Sequence, residues 1–332
     1  MKVDVHAHHI PAALIDRDIT PPAGTIYGVR ITEPGTDRVL KAETFQAVGF
    51  DPEQIYDLDR RLRDMRVQRI DWHVLSVPPF CFYYDLDPAA GLAVSRRFND
   101  ALAESARVHP DRFVALATLP LQAPDLAARE LERAVRDLGL RGAEICSNVE
   151  GRNLDDPALA PVYSKLHELG VPVFIHPTNV LGQDRLSRYY LANLIGNPTD
   201  TAVAAASLIF GGILREFPRL KFYLAHAGGS CPYIRGRWEH GWRVRPEGQA
   251  ALDRPPSEYF RLLRFDSLSH SVPALNFLAE TAGPERIMLG TDYPFDMGDY
   301  QAVQTVASLA HLSDAQKDLI YGGNAAEWFR IG

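Results

Sequence analysis

Short runs of apolar and β-branched residues recur along the chain, separated by stretches in which apolar residues return every three or four positions. The first pattern reads as buried strands and the second as amphipathic helices. Eight runs qualify as strands. They are VDVHAH (3–8), IDWHVLSV (70–77), RFVALATL (112–119), RGAEICS (141–147), VPVFIH (171–176), LKFYLAH (220–226), FRLLRFDS (260–267) and RIMLGTD (286–292). Helical patterns lie between them, such as DLAARELERAVRDLG (125–139) and PALAPVYSKLHELG (157–170), the latter ending on a glycine that suits a helix C-cap. Strands alternating with helices over 332 residues predict an α/β fold, a (β/α)8 TIM barrel. A doubly wound sheet is the alternative, but no GxGxxG follows the first strand.

Two stretches break the rhythm. Residues 20–50 hold two β-like runs, TIYGVRIT and RVLKAETF, among Pro and Gly turns, and predict a small β-hairpin inserted after strand one. Residues 241–260 are Pro-rich and read as a loop before strand seven. No repeat or low-complexity segment divides the chain, so one domain over 1–332 is expected.

Charge and cysteine usage narrow the class. A formal charge of −7 argues against a general nucleic-acid surface, which needs clustered positive charge. Cys81, Cys146 and Cys231 are far apart and form no CxxC, so neither a disulfide framework nor a cysteine zinc site is expected. No apolar run approaches a membrane span or a hydrophobic leader. The expectation is a soluble cytoplasmic protein without membrane or nucleic-acid partners.

The chemistry collects at strand ends. In a strand, residues i and i+2 share a face, so His6 and His8 point together and His9 points away. Strand five ends in His176, strand six in His226 and strand eight in Asp292. A parallel barrel brings all its C-terminal ends to one rim, where barrel enzymes carry their chemistry. Any one of these histidines alone would read as a polar loop residue. Together, imidazoles and a carboxylate suit Zn²⁺ or a similar divalent ion, Mn²⁺ being the alternative. Strand four has no lysine to bridge a second ion, so one ion is expected.

These residues resemble the signature of the amidohydrolase superfamily. Further stretches are similar to its aminocarboxymuconate semialdehyde decarboxylase-like branch: SVPPFCFYY (76–84), NLIGNPTDTAVAAASLIFGGILREFPRLK (193–221), AHAGGSCPYIRGRWEHGW (225–242), MLGTDYPF (288–295) and GGNAAEWF (322–329). The resemblance spans nearly the whole chain. It implies a metal on His6, His8, His176 and Asp292, with His226 and Asp292 in acid–base roles beside a metal-activated water. It also implies that Arg237 binds substrate carboxylate in a neighbouring subunit of a homodimer. Phe80 and Phe295 are expected as pocket walls. The chain departs from the branch at Gln46, expected to bind substrate where an arginine is usual, and at Thr178 and Asn179, where a Trp-Asp pair is usual.

The expected function is non-oxidative decarboxylation of a small conjugated or aromatic carboxylate. A hydrolase or hydratase on the same metal is the first alternative, and a catalytically inactive binding barrel the second.

Overall fold

The computed structural model describes residues 1–16, 27–33, 35–46 and 49–332. Its barrel strands are β1 (Val3–His8), β2 (Trp72–Ser76), β3 (in two pieces, Phe113–Ala115 and Ala117–Thr118), β4 (Ala143–Cys146), β5 (Pro172–His176), β6 (Lys221–Leu224), β7 (Arg264–Asp266) and β8 (Ile287–Met288). Each strand pairs in parallel with the next. The ring closes where Val5 N donates to Leu289 O at 2.9 Å and Asp292 N to His6 O at 2.8 Å. Parallel strands covered by helices are buried on both faces, and every residue of β1 is buried.

One apolar cluster lies between strands and helices and holds Leu75, Phe98, Leu131, Ile145, Leu208 and Phe265. A second joins Val3, Val5, Phe174 and Tyr223 to Trp328 and Phe329 of the C-terminal helix Asn324–Phe329. That helix closes the end of the barrel opposite the histidines. Long helices begin where the sequence offers acceptors: the Asp87 carboxylate accepts from Ala89 N and Ala90 N at the head of Pro88–Val108. Gly170 ends Ala160–Leu169 at φ 63°, as its position suggested.

Three expectations are corrected. Residues 241–260 are largely helical, because helix Cys231–Val244 runs into them and Pro246–Gln249 and Pro256–Phe260 follow. Prolines that read as loop markers occupy first helical positions, where no N–H is needed. Strand seven therefore begins only at Arg264. Strand eight ends at Met288, so Asp292 sits in the loop beyond it, at φ 61°. Gly290 lets that loop pass the site closely, since a Cβ there would lie 2.8 Å from Asp266 Cβ and 3.1 Å from His6 Cβ.

The insertion pairs Tyr27–Thr32 antiparallel with Val39–Phe45, and Ile15–Asp16 adds a third strand. Residues 20–26, 34, 47 and 48 of the predicted hairpin lie outside the described residues. Phe45 stacks on Phe80 with centroids 4.4 Å apart, which brings the insertion to the histidine rim. Among the described residues no helix is long and apolar enough to cross a membrane.

Candidate metal centre

Five side chains converge at the C-terminal rim. The Nε2 atoms of His6 and His8 are 3.1 Å apart, and Asp292 Oδ1 lies 3.2 Å and 3.1 Å from them. The His176 ring centroid is 5.1 Å from those of both His6 and His8. Ligand atoms of His6, His176, His226 and Asp292 all lie within 4.8 Å of one another.

Outer partners fix which way each ring presents its lone pair. His6 Nδ1 donates to Asp266 Oδ2 at 2.6 Å, His8 Nδ1 to Val77 O at 3.0 Å and His176 Nδ1 to Pro177 O at 3.0 Å. With their Nδ1 protons so committed, the three rings turn their Nε2 atoms towards one another and towards a carboxylate oxygen. His176 Nε2 and Asp292 Oδ1 are buried and make no hydrogen bond. Lone pairs gathered without a donor repel, and a cation at their centre removes the conflict. The donor set fits a divalent ion bound through nitrogen and oxygen.

The local electrostatics agree. Burial opposes charge on His6, yet the Asp292 and Asp266 carboxylates overcome it and push His6 up to about 10. Burial raises Asp292, but His6, His226 and His8 hold it well below the usual carboxylate range. Burial, then its histidine neighbours, hold His176 well below the ordinary imidazole value. The site thus accommodates one positive charge and resists a second on the remaining rings.

His226 differs from the other three histidines. Its Nε2 is 3.7 Å from Asp292 Oδ2, the oxygen turned away from His6 and His8, and its side chain is 17% exposed. No carbonyl fixes its ring, since His226 Nδ1 is buried without a partner. Its backbone is held instead: Asp266 accepts from His226 N at 2.9 Å and Ala227 N at 2.6 Å, where both residues have positive φ. Asp266 thereby orients the His6 ring and the His226 backbone together. Sequence reasoning missed it, although it ends β7 as His176 ends β5.

Glu144 on β4 was also missed. It is fully buried, 4.0 Å from His8 Nδ1, and neither carboxylate oxygen has a hydrogen-bond partner. Burial drives its pKa well above the ordinary value.

A cavity of about 370 Å³ opens onto His176, His226 and Asp292, walled by Phe80 and Phe295. Thr178, Asn179, Asn193, Asn197 and Asp296 supply its polar lining, and no lysine or arginine lines it among the described residues. Gln46 is exposed and outside this lining, and Arg237 is exposed on helix Cys231–Val244, also outside it. His9 turns away, as alternation requires, to Ile55 O and Ser105 Oγ.

A family model described as Amidohydrolase matches residues 3–331. A 2-amino-3-carboxymuconate-6-semialdehyde decarboxylase from Dictyostelium discoideum is 40% identical over 277 residues, 83% of this chain and 77% of that one. The crystal structure of 5-carboxyvanillate decarboxylase from Sphingomonas paucimobilis is 34% identical, with a TM-score of 0.78 over 85% of this chain and 86% of that one. A dihydroxybenzoic acid decarboxylase from Polaromonas sp., solved with bound manganese and the inhibitor 2-nitroresorcinol, is 25% identical, with a TM-score of 0.80 over 99% and 97%.

Proposed function

The chain belongs to the amidohydrolase family and is a metal-dependent carboxy-lyase, and we propose that His6, His8, His176 and Asp292 hold its one ion while His226 handles the proton. The observation that carries this assignment is the convergence of His6 Nε2, His8 Nε2 and Asp292 Oδ1, with His176 Nε2 and Asp292 Oδ1 buried and without a hydrogen bond, at the floor of a cavity that His226 also lines. Three imidazoles and a carboxylate favour zinc. Manganese, present in the Polaromonas structure, is the competing outcome of a metal analysis.

Bound there, a divalent ion would supply a Lewis acid for substrate oxygens and so would help the conjugated system to hold the electron pair left by CO₂. The chain's own groups do the rest. Phe80 and Phe295 flank a flat ring and exclude water from it. When the C–CO₂ bond breaks, CO₂ leaves and the electron pair stays in the conjugated system. A proton from the His226 ring then completes the vacated carbon. Solvent returns the proton to the ring, and Asp292 Oδ2, 3.7 Å from His226 Nε2, is placed to relay it.

The substrate we propose is a monocarboxylate bearing a ring hydroxyl or amine. If the second copy's Arg237 takes one carboxylate, another would find no lysine or arginine among the described lining residues of its own chain and would face Asp296. Neutral Asn, Thr and Gln side chains suit hydroxyl and amine groups instead. The carboxymuconate substrate named for the Dictyostelium relative carries more negative charge than such a lining serves.

Arg237 is proposed to reach the cavity of a second copy in a homodimer. Exposed Tyr190 lines the mouth, exposed Tyr189, Leu194 and Ile195 adjoin its lining residues in the chain, and Tyr233 (84% exposed) stands one helical turn from Arg237. Such a patch is apolar enough for an interface between copies. We further propose that residues 1–332 work as one domain and that the enzyme is cytoplasmic, in keeping with three free, buried cysteines.

The test is CO₂ release across hydroxy- and aminobenzoates alongside the carboxymuconate semialdehyde. Turnover of a monocarboxylate well above the muconate compound is expected. Efficient turnover of the muconate compound with no better monocarboxylate overturns the substrate assignment.

A further inference from the structure

The opposite end of the barrel carries a groove of about 460 Å³ into which Arg219, Lys221, Arg261, Arg264 and Arg286 all project, beside His167. Lys221 and Arg264 begin β6 and β7, and Arg286 immediately precedes β8. Five cations meet there on a chain whose formal charge is −7.

Few of these charges are answered within the protein. Arg264 is engaged by Asn324 O at 2.8 Å, Glu327 at 3.1 Å and the face of Trp328 at 4.1 Å. Arg286 has Glu285 only at 3.6 Å, and its Nε is buried without a hydrogen bond. Among the described residues Arg219, Lys221 and Arg261 have no carboxylate partner. Glu168, the one carboxylate in the lining, is already taken by Lys165 at 2.7 Å and Arg136 at 2.6 Å.

The histidine adds another unanswered donor. His167 Nε2 accepts from Arg219 Nε at 3.1 Å, so the ring proton sits on Nδ1, which is buried and has no acceptor. Burial, and then the Arg330 and Arg264 charges, hold Lys221 below its ordinary pKa, against a partial opposing pull from Glu327. The N-terminal face of a barrel ordinarily serves stability. Crowded cations and orphaned donors work against stability unless something with several acceptor oxygens joins them.

We propose that this groove is a binding site for a small multivalent phosphoryl anion, separate from the catalytic centre. Guanidinium forks match phosphoryl oxygens in pairs, and the lysine adds a point charge. The volume holds two or three linked phosphoryl groups, and the concave shape favours a free small molecule. The groove has neither a metal-ligand cluster nor a cavity shared with His226, so the anion is a regulatory or stabilising ligand and not a substrate.

Pyrophosphate is the probe, added to the metal-loaded enzyme at constant ionic strength. Calorimetry should show saturable binding, and the melting temperature should rise to a plateau. The double variant Lys221→Gln/Arg261→Gln removes two cations without orphaning a carboxylate. It should lose binding by about tenfold or more for each contact while CO₂ release stays unchanged. Any pyrophosphate effect exerted through the catalytic metal is common to both proteins and cancels in the comparison. Equal binding by wild type and variant overturns the proposal. So does a wild-type melting shift that chloride reproduces at the same ionic strength, a result that needs no variant to fold.

Discussion

The Nε2 atoms of His6 and His8 face each other at 3.1 Å while each ring commits its Nδ1 proton elsewhere, His6 to Asp266 and His8 to the Val77 carbonyl. Something positive has to lie between them. In the metal-free protein it is a second proton on His6, which the surrounding carboxylates push up to about 10. With metal bound as proposed, it would be the ion.

Metal uptake should therefore displace a proton. Chelator-stripped protein titrated with zinc at neutral pH, in buffers of different ionisation enthalpy, should release about one proton per ion. Apparent affinity should fall about tenfold for each pH unit lost in that range. The sign for stability follows from a raised histidine value. The metal-free protein keeps the His6 contribution below about 6.5 and loses it as pH rises through about 10. Uptake without proton release contradicts the assignment.

Asp266→Asn should weaken metal binding by about 10- to 100-fold, the usual cost of removing a carboxylate that orients a metal-bound imidazole. Competition against a chromophoric chelator measures it. Unchanged affinity would mean that the 2.6 Å contact to His6 does not position the ring.

His226→Ala should retain one ion per chain and lose turnover by about two orders of magnitude or more. Elemental analysis and rate are read on the same sample. Parallel loss of metal and activity would make His226 a ligand, a role its place within 4.8 Å of the other ligand atoms also permits.

Arg237→Ala should raise KM more than it lowers kcat, since one charge-assisted contact to a carboxylate is worth about 1.5–3 kcal/mol. If the arginine serves a neighbouring chain, mixing Arg237→Ala with the inactive His226→Ala protein should restore activity, because mixed dimers hold one intact site. No recovery on mixing places Arg237 outside the partner's cavity.

Much of this was legible before any coordinates. Alternation in VDVHAH set His6 and His8 on one face, and a strand end announced His176, whereas His226 lies two residues past the end of β6, at the start of a short turn. Asp292 was found in the right place for an incomplete reason. It lies four residues past the end of β8, on a loop that Gly290 lets pass close to His6. Asp266 and Glu144 escaped notice because each is a single acid in an apolar run, and only the closed ring shows that both face the histidines. The prolines at 246 and 256 misled the reading of 241–260, since a proline that opens a helix looks in sequence like one that ends it. Gln46, expected to bind substrate, is exposed and outside the cavity lining; the insertion that carries it offers no motif to anchor the register.

The most direct measurement follows the carbon that loses CO₂. Chelator-stripped enzyme, reloaded with one divalent ion per chain, is given a preferred hydroxybenzoate in deuterium oxide, and gas and product are analysed together. The expected result is one CO₂ per turnover, one deuterium on the vacated ring carbon, and no reaction before reloading. A product that keeps its carboxylate and has gained the elements of water, or CO₂ release indifferent to removal of the ion, would contradict a metal-dependent decarboxylase.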